Sequence, residues 1–357
     1  MFRVTQLSSM SDQKLDRIIR RLALVLVVGT VAFLGYYFLD RHPAAGPTLV
    51  DRQIAQAEEA VRAQPENVDE RMALAGLYVN AKRYDEAQKQ YAEVLTVKPD
   101  STLAMLGRGA ALYLAEDLSS AEGMYQQIVD VTKSGEFTKV DPTVEEAHFY
   151  LATIAAKTGR SDRAIAEYTS ALKIEPTDAD ALYGLGMAYL AEAKPADAIK
   201  PLRDAVAFVP LEWGDPYTAL KDAYTRLGKR AEAAWADAMF DLTQKQYDAG
   251  TAKLQALTGP GASADVYLGL GFAAEAVGDS AKAAAWYRSA LDVDPESFNA
   301  IQGLGRTDPS SLPSQTPDAH ASPAPASAAP ATPAPSMKPL PRPGDHAGVA
   351  MAPGAAR

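Results

Sequence analysis

The sequence offers four histidines as imidazole metal ligands and no cysteine for thiolate ligation or thiol chemistry. The lack of Cys excludes disulfides, thiolate metal ligands and cysteine nucleophiles together, and it favours no redox compartment. His148 falls at a packing position of a helical pattern, which indicates a core or half-exposed histidine rather than a ligand. The other three, His42, His320 and His346, lie towards the two ends of the chain.

Motifs of the common enzyme classes are also absent. The sequence has no histidine–glutamate metal motif, no Gly-rich phosphate loop and no Gly-x-Ser-x-Gly elbow. The formal charge of -10 disfavours nucleic acid as a partner, and the scattered carboxylates indicate solvated helix faces. We therefore predict no catalytic residue, no metal site, no cofactor and no small-molecule substrate, and we expect the protein not to be an enzyme.

The stretch from Ala179 to Pro210 predicts two amphipathic helices joined by a short turn. Gly186 and Ala198, one on each helix, would let the two backbones approach closely. Apolar and small residues recur at helical spacing before and after a break at Lys194-Pro195. They are Leu182, Leu185, Gly186 and Tyr189, then Ala198, Leu202 and Ala205.

This register recurs in six units along the chain. With Ala179 as position 1, alanine occupies position 20 of every unit and proline closes four of them at position 32. The alanines are Ala87, Ala121, Ala164, Ala198, Ala233 and Ala283. The pattern resembles the tetratricopeptide repeat family, whose unit has about 34 residues. The resemblance implies an all-α, right-handed superhelical solenoid of about six helix-turn-helix repeats.

The predicted array covers residues 49–305, with a capping helix at each end. Its units run 68–101, 102–135, 145–178, 179–212, 214–247 and 264–297. Residues 133–143 lengthen one connection, and residues 246–257 are predicted to form an inserted helix. The fifth unit is the least regular, because Lys221 stands at position 8 and Asp237 at position 24.

An uncharged run, residues 22–39, precedes the array. A helix of this length would measure about 27 Å, close to the thickness of a bilayer's hydrocarbon core. A buried core helix and a cleaved signal peptide are the alternatives. The lack of any polar face disfavours the first, and the lack of a small-residue cleavage site disfavours the second. We predict one uncleaved transmembrane helix, as in a membrane-anchored bacterial protein of this family.

The charges that flank this run predict its orientation. Basic residues cluster before Leu22, whereas Arg41 is the only Lys or Arg in the dozen residues after Leu39. The positive-inside rule then places residues 1–21 in the cytoplasm and the array outside it, at the cell membrane. Residues 40–48 are predicted to be a linker, and the Pro- and Ala-rich residues 306–357 a disordered tail.

The resemblance also implies where a partner would bind. In such arrays the first helices of successive units line a concave groove, and an apolar groove suits an extended or helical peptide. The alternative is that these side chains only contact the next repeat. The groove candidates are Met72, Leu106, Tyr113, Phe149, Tyr183, Met187, Leu190 and Phe272. Four carboxylates in the C-terminal part of the array predict that this part prefers a basic peptide segment: Asp215, Asp222, Asp265 and Glu275.

These observations predict a non-catalytic, membrane-anchored scaffold for protein or peptide partners. An envelope-assembly or chaperone-like adaptor is the favoured role. The alternative is a regulatory accessory subunit of a partner membrane enzyme or of a cytochrome c maturation system.

Overall fold

The computed structural model describes residues 23–34, 37, 48–133 and 141–311. All regular structure among these residues is helical, which confirms the predicted all-α repeat architecture for this part of the chain. The predicted cytoplasmic segment 1–21, nearly all of the linker 40–48 and the tail from residue 312 lie outside the described residues.

The predicted transmembrane helix at residues 22–39 is wrong. Within the described ranges, no helix combines the length and the apolar character needed to cross a bilayer. The single-pass anchor and the extracytoplasmic location rested on that helix and are withdrawn with it.

The chain divides into two units, residues 1–63 and 64–357. In the first unit, helix α1 (Leu49–Ala63) has Ile54 and Val61 buried. The second unit carries fourteen α-helices in its described part and a final 3-10 turn, Pro309–Ser311. The helices are α2 (Val68–Asn80), α3 (Tyr84–Val97), α4 (Thr102–Leu114), α5 (Leu118–Thr132), α6 (Pro142–Lys157), α7 (Ser161–Ile174), α8 (Ala179–Ala191), α9 (Pro195–Ala205), α10 (Asp215–Arg226), α11 (Arg230–Thr243), α12 (Tyr247–Gln255), α13 (Ala264–Ala276), α14 (Ser280–Val293) and α15 (Phe298–Thr307).

Side-chain caps determine where several first helices begin. The Asn67 side-chain oxygen accepts the amides of Asp69 at 3.0 Å and Glu70 at 3.4 Å. Asp178 does the same at the start of α8. Each cap satisfies an amide that has no partner within the helix, which stabilises it by about 0.5–2 kcal/mol.

A left-handed residue ends the first helix of each pair. Gly159, Gly228 and Gly278 take this role, and all have positive φ. At each of these turns, the next amide donates to the carbonyl five residues earlier, which defines a Schellman motif. The remaining turns of this kind use non-glycine residues: Lys82, Glu116, Ala193 and Lys245.

The packing positions of the repeat are buried as predicted in five units. Ala198 and Leu202 of α9 are fully buried, and a Cβ added at Gly186 of α8 would lie 2.5 Å from Leu202 Cγ. The helices are therefore as close as the side chains allow. The corresponding alanines Ala87, Ala121, Ala164 and Ala283 are also 0% exposed.

The fifth predicted unit departs from this pattern. Ala233, its position-20 alanine, is only half-buried. Fully buried contacts form instead between α11 and α12, where a Cβ on Gly250 would lie 2.9 Å from the Ala238 carbonyl oxygen. Gly250 and Ala238 therefore form the same kind of close small-residue contact between helices as Gly186 and Ala198. The packing favours α11 as the first helix of a pair with α12 rather than as the second helix of a pair with α10.

Contacts between alternate helices support this assignment. Helices α2, α4, α6, α8 and α10 contact one another in succession, and a second series then runs α11, α13 and α15. The inner helices of the array are thus the even-numbered helices up to α10 and the odd-numbered helices from α11 onward, a shift of one helix between α10 and α11. We call this feature the phase slip.

The helix contact at Gly186 yields a stability prediction. Gly186→Ala should lower the free energy of unfolding by about 1–2 kcal/mol, because overpacking against buried Leu202 outweighs the gain in helix propensity. Gly76, also inside a first helix, has no atom within 4 Å of an added Cβ. Gly76→Ala should instead stabilise by about 0.5–1 kcal/mol. Denaturant unfolding followed by circular dichroism measures both, and stabilisation by both variants would contradict the contact.

Candidate functional site

The structure separates the eight predicted groove residues by exposure. Met187 is 41% exposed, while Met72 and Tyr183 are half-buried. The other five lie within the helix packing, at 2–8% exposure: Leu106, Tyr113, Phe149, Leu190 and Phe272.

Aromatic contacts explain the burial in the middle of the array. The Phe149 ring lies 5.4 Å from Tyr150 and 5.8 Å from Tyr168 between ring centroids. Tyr113 contacts Tyr150 at 5.4 Å, and the Lys157 ammonium lies 4.4 Å above the Tyr113 ring. These rings hold helices α4 to α7 together. Tyr113 and Phe149 therefore have the packing role that was the alternative to a binding role.

Met187 and Tyr183 form the accessible part of the predicted groove. They lie one turn apart on α8, which places them on one face. The Tyr183 ring contacts Trp213 at 4.8 Å, and Trp213 is 4% exposed. Burial raises the pKa of Tyr183 to about 12, so its hydroxyl stays neutral at physiological pH. We call Tyr183, Met187 and Trp213 the α8 patch.

A second concave surface lies between the connection after α9 and the helices α13 and α15. It is a pocket of about 250 Å³, and its lining includes the predicted groove residue Phe272 and the predicted acidic residue Glu275. Its lining is mainly apolar, with charged side chains from Glu212, Glu275 and Arg306. The apolar lining residues are Phe208, Val209, Pro210, Leu211, Phe272 and Ala276. We call this the terminal pocket.

An ion pair brings these distant segments together. Arg203 of α9 donates two hydrogen bonds of 2.9 Å to the Asp265 carboxylate at the start of α13. Trp235 of α11 donates to the Asp265 carbonyl at 3.1 Å, and the Arg203 guanidinium lies over the Trp235 ring. Asn299 of α15 donates to the Ala207 carbonyl at 3.1 Å. The connection after α9 is thereby held against the last helix.

The charged side of the terminal pocket is internally paired. Arg306 donates to both oxygens of the Glu275 carboxylate, at 2.7 and 3.0 Å, and the Tyr287 hydroxyl donates to it at 2.5 Å. The Arg306 guanidinium, followed by the Tyr287 hydroxyl, holds the pKa of Glu275 below its usual range. Burial and the same carboxylate raise the pKa of Tyr287.

The predicted acidic end is largely neutralised within the chain. Asp265 pairs with Arg203 and Glu275 with Arg306, while Asp222 pairs with Arg226 at 2.7 Å. Asp215 accepts a longer hydrogen bond from the Trp213 indole at 3.4 Å. Three of these four carboxylates therefore already have a cation as partner, which weakens the expectation that they select a basic segment.

Histidine and carboxylate side chains are the groups of this chain that could bind a metal ion. Among the described residues, no cluster of three or more potential ligands is placed to hold a metal ion. His148 Nδ1 lies 2.7 Å from the Glu167 carboxylate, so this histidine has a packing and hydrogen-bonding role.

Sequence comparisons identify the repeat class. Two family models described as tetratricopeptide repeat match residues 72–136 and 264–297, and one described as TPR repeat matches residues 154–192. The predicted resemblance is thus confirmed over these stretches. Residues 193–263, which include the phase slip, lie outside the three matches. No curated protein sequence matches the chain.

Several solved structures resemble the chain at low similarity. MamA is 19% identical, with 52% of this chain and 96% of that chain covered and a TM-score of 0.46. YrrB, titled a TPR protein with an unusual peptide-binding site, is 15% identical over 56% and 97%, with a TM-score of 0.45. PilW, titled a type IV pilus biogenesis factor, is 18% identical over 62% and 98%, with a TM-score of 0.46. At these values none carries an inference about function.

The Glu275 contacts predict acid-sensitive docking of α15. Glu275→Gln should speed amide hydrogen exchange in α15 at pH 7, because Arg306 and Tyr287 lose a charged acceptor. A lowered carboxyl pKa contributes stability above its unfolded value, about 4.3, and loses it as the pH falls through the folded value. The difference between wild type and variant should therefore shrink in acid.

A matched control uses an exposed pair. Glu86 accepts from Arg83 at 2.9 Å, and both side chains are about 40% exposed. Glu86→Gln should leave exchange in α3 nearly unchanged, since exposed ion pairs contribute little. Equal exchange in α15 of the Glu275→Gln variant and wild type at pH 7 would contradict the assigned role.

Proposed function

We propose that the protein is a non-catalytic scaffold that holds an apolar peptide segment of a partner protein on the α8 patch. Tetratricopeptide repeats generally act as non-catalytic protein-interaction scaffolds, and three stretches of this chain match them. The observation that carries the choice of surface is Met187. It is 41% exposed, although Gly186 and Ala188 on either side are buried.

The neighbours of Met187 suit an apolar side chain. Tyr183 and Trp213 form a fixed aromatic wall, because their rings are in contact and Trp213 is anchored in the core. An unbranched methionine adapts to different apolar surfaces, and aromatic residues and Met are enriched in protein interfaces. A peptide side chain placed here would lose water on both faces.

Polar groups beyond the patch provide a rim. Arg226 donates to the Leu190 carbonyl at 3.1 Å, one turn after Met187 on α8, and pairs with Asp222. The guanidinium is therefore fixed in position. An apolar centre with a polar rim is the arrangement expected of a specific interface.

The other aromatic candidates do not serve as probes of binding. Phe149 is 2% exposed, so Phe149→Ala would open a cavity and cost about 3–5 kcal/mol of stability. Loss of binding in such a variant would report on folding.

A test therefore uses Met187→Glu. Peptides selected from a random phage-displayed library on the purified full chain should carry apolar anchors. Met187→Glu should weaken their binding by at least about tenfold, or 1.4 kcal/mol, because a carboxylate would be desolvated against the apolar anchor. Fluorescence anisotropy of labelled peptides measures Kd.

Val293→Glu is the matched control. Val293 is 51% exposed on α14, the second helix of its pair. The Val293→Glu substitution therefore adds the same charge at a comparably exposed apolar position. Binding should be retained there. Equal affinity of the Met187→Glu and Val293→Glu variants, whether strong or weak, would reject the α8 patch as the binding surface.

A further inference from the structure

The terminal pocket has features of a peptide site that are separate from the α8 patch. Phe208 at its rim is 71% exposed, while Phe272 within it is 8% exposed. Val209, Pro210 and Leu211 complete an apolar wall on one side. The rim and wall thus offer aromatic and aliphatic surface that no described side chain covers.

Glu212 gives this pocket an available negative charge. Glu212 is exposed, and within the described part of the chain its carboxylate makes no hydrogen bond or ion pair. Glu275, by contrast, is already occupied by Arg306 and Tyr287. A ligand that combines an apolar side chain with a cation would therefore match both the wall and Glu212.

The chain's own C-terminal segment has that chemistry and starts beside the pocket. Arg306 lines the pocket, the described residues end at Ser311, and residues 312–357 follow. Most of these are Pro, Ala and Ser. Residues 337–343, Met-Lys-Pro-Leu-Pro-Arg-Pro, are the place where large apolar side chains and two cations occur together.

The spacing in this segment fits an aromatic-lined pocket. Proline favours the polyproline II conformation, which has three residues per turn. Met337, Leu340 and Pro343 would then share one face, with Lys338 and Arg342 on the others. Aromatic grooves bind such preformed helices at low entropic cost. Residues 312–336 could extend by up to about 80 Å, so their length permits a return to the pocket.

We propose that the terminal pocket binds residues 337–343 of the same chain, with Leu340 against Phe208 and Phe272 and a cation against Glu212. The covalent tether favours this occupant, because linking two binding partners in one chain gives an effective concentration in the millimolar range. A partner carrying a similar Pro-rich basic segment would compete with it. The proposal stands independently of binding at the α8 patch.

Disulfide trapping in the full chain tests the proposal. The sequence has no Cys, so Ala276→Cys with Pro341→Cys introduces the only two thiols and leaves Leu340 and both cations of the segment in place. Ala276 is exposed and lines the pocket. In a glutathione redox buffer, an intramolecular disulfide should form, detected by intact mass and by gel mobility of the monomer.

The matched control pairs Ala276→Cys with Ala326→Cys. Ala326 lies in the same tail, in a stretch of Pro, Ala and Ser without cations. Trapping at residue 341 should be about tenfold faster than at residue 326, the ratio that a docking free energy of about 1.4 kcal/mol produces. Equal rates at the two positions would overturn the proposal.

Two further results decide between occupants and surfaces. Phe208→Ala with Glu212→Gln, added to the 276/341 pair, should reduce trapping to the control rate without changing helicity, since both residues are exposed. Unchanged trapping would reject the pocket. Disulfides that form between chains and increase with protein concentration would assign the segment to a second copy and overturn binding within one chain.

Discussion

The close contact between the two helices of each pair is the constraint on which the rest of the structure depends. An alanine at position 20 of the second helix lies against glycine or alanine at position 8 of the first, and a buried Tyr or Leu fills the next turn. Gly186 and Leu202 show how little room remains. Because each pair buries only one face in this way, neighbouring pairs must stack to cover the other.

The same constraint explains the irregular region. At Lys221 and Asp237 the small and aromatic residues of this contact are replaced by an ion pair at 2.5 Å, so α10 and α11 lack the small-residue contact of the regular pairs. Gly250 and Ala238 restore it between α11 and α12. The alternation of helices slips by one, and the Arg203–Asp265 pair then joins α9 to α13. The terminal pocket results from an interruption of the repeat.

Packing residues were predictable from sequence, whereas exposed binding residues were not. Size and spacing identify Ala198 or Leu202 because each unit repeats the same contact. Phe149 and Met187 are both predicted groove residues on first helices, yet Phe149 is 2% exposed and Met187 is 41% exposed. That difference depends on side chains of neighbouring helices. Phe208 and Glu212 carry no periodic signal at all, since they lie in a connection. Likewise, an uncharged run does not by itself establish a continuous helix of spanning length.

Charge pairing determines what kind of recognition the concave surfaces can support. Arg203, Asp265, Glu275 and Arg306 neutralise one another across segments distant in sequence. A partner that took one of these groups would leave the other uncompensated and would have to offset that cost. Apolar contact is therefore the cheaper basis for binding at Met187 and at Phe208. Glu212, whose carboxylate has no described partner, can add an ion pair without breaking one. A preference for a cation would therefore be concentrated at Glu212, where the repeat pattern is interrupted.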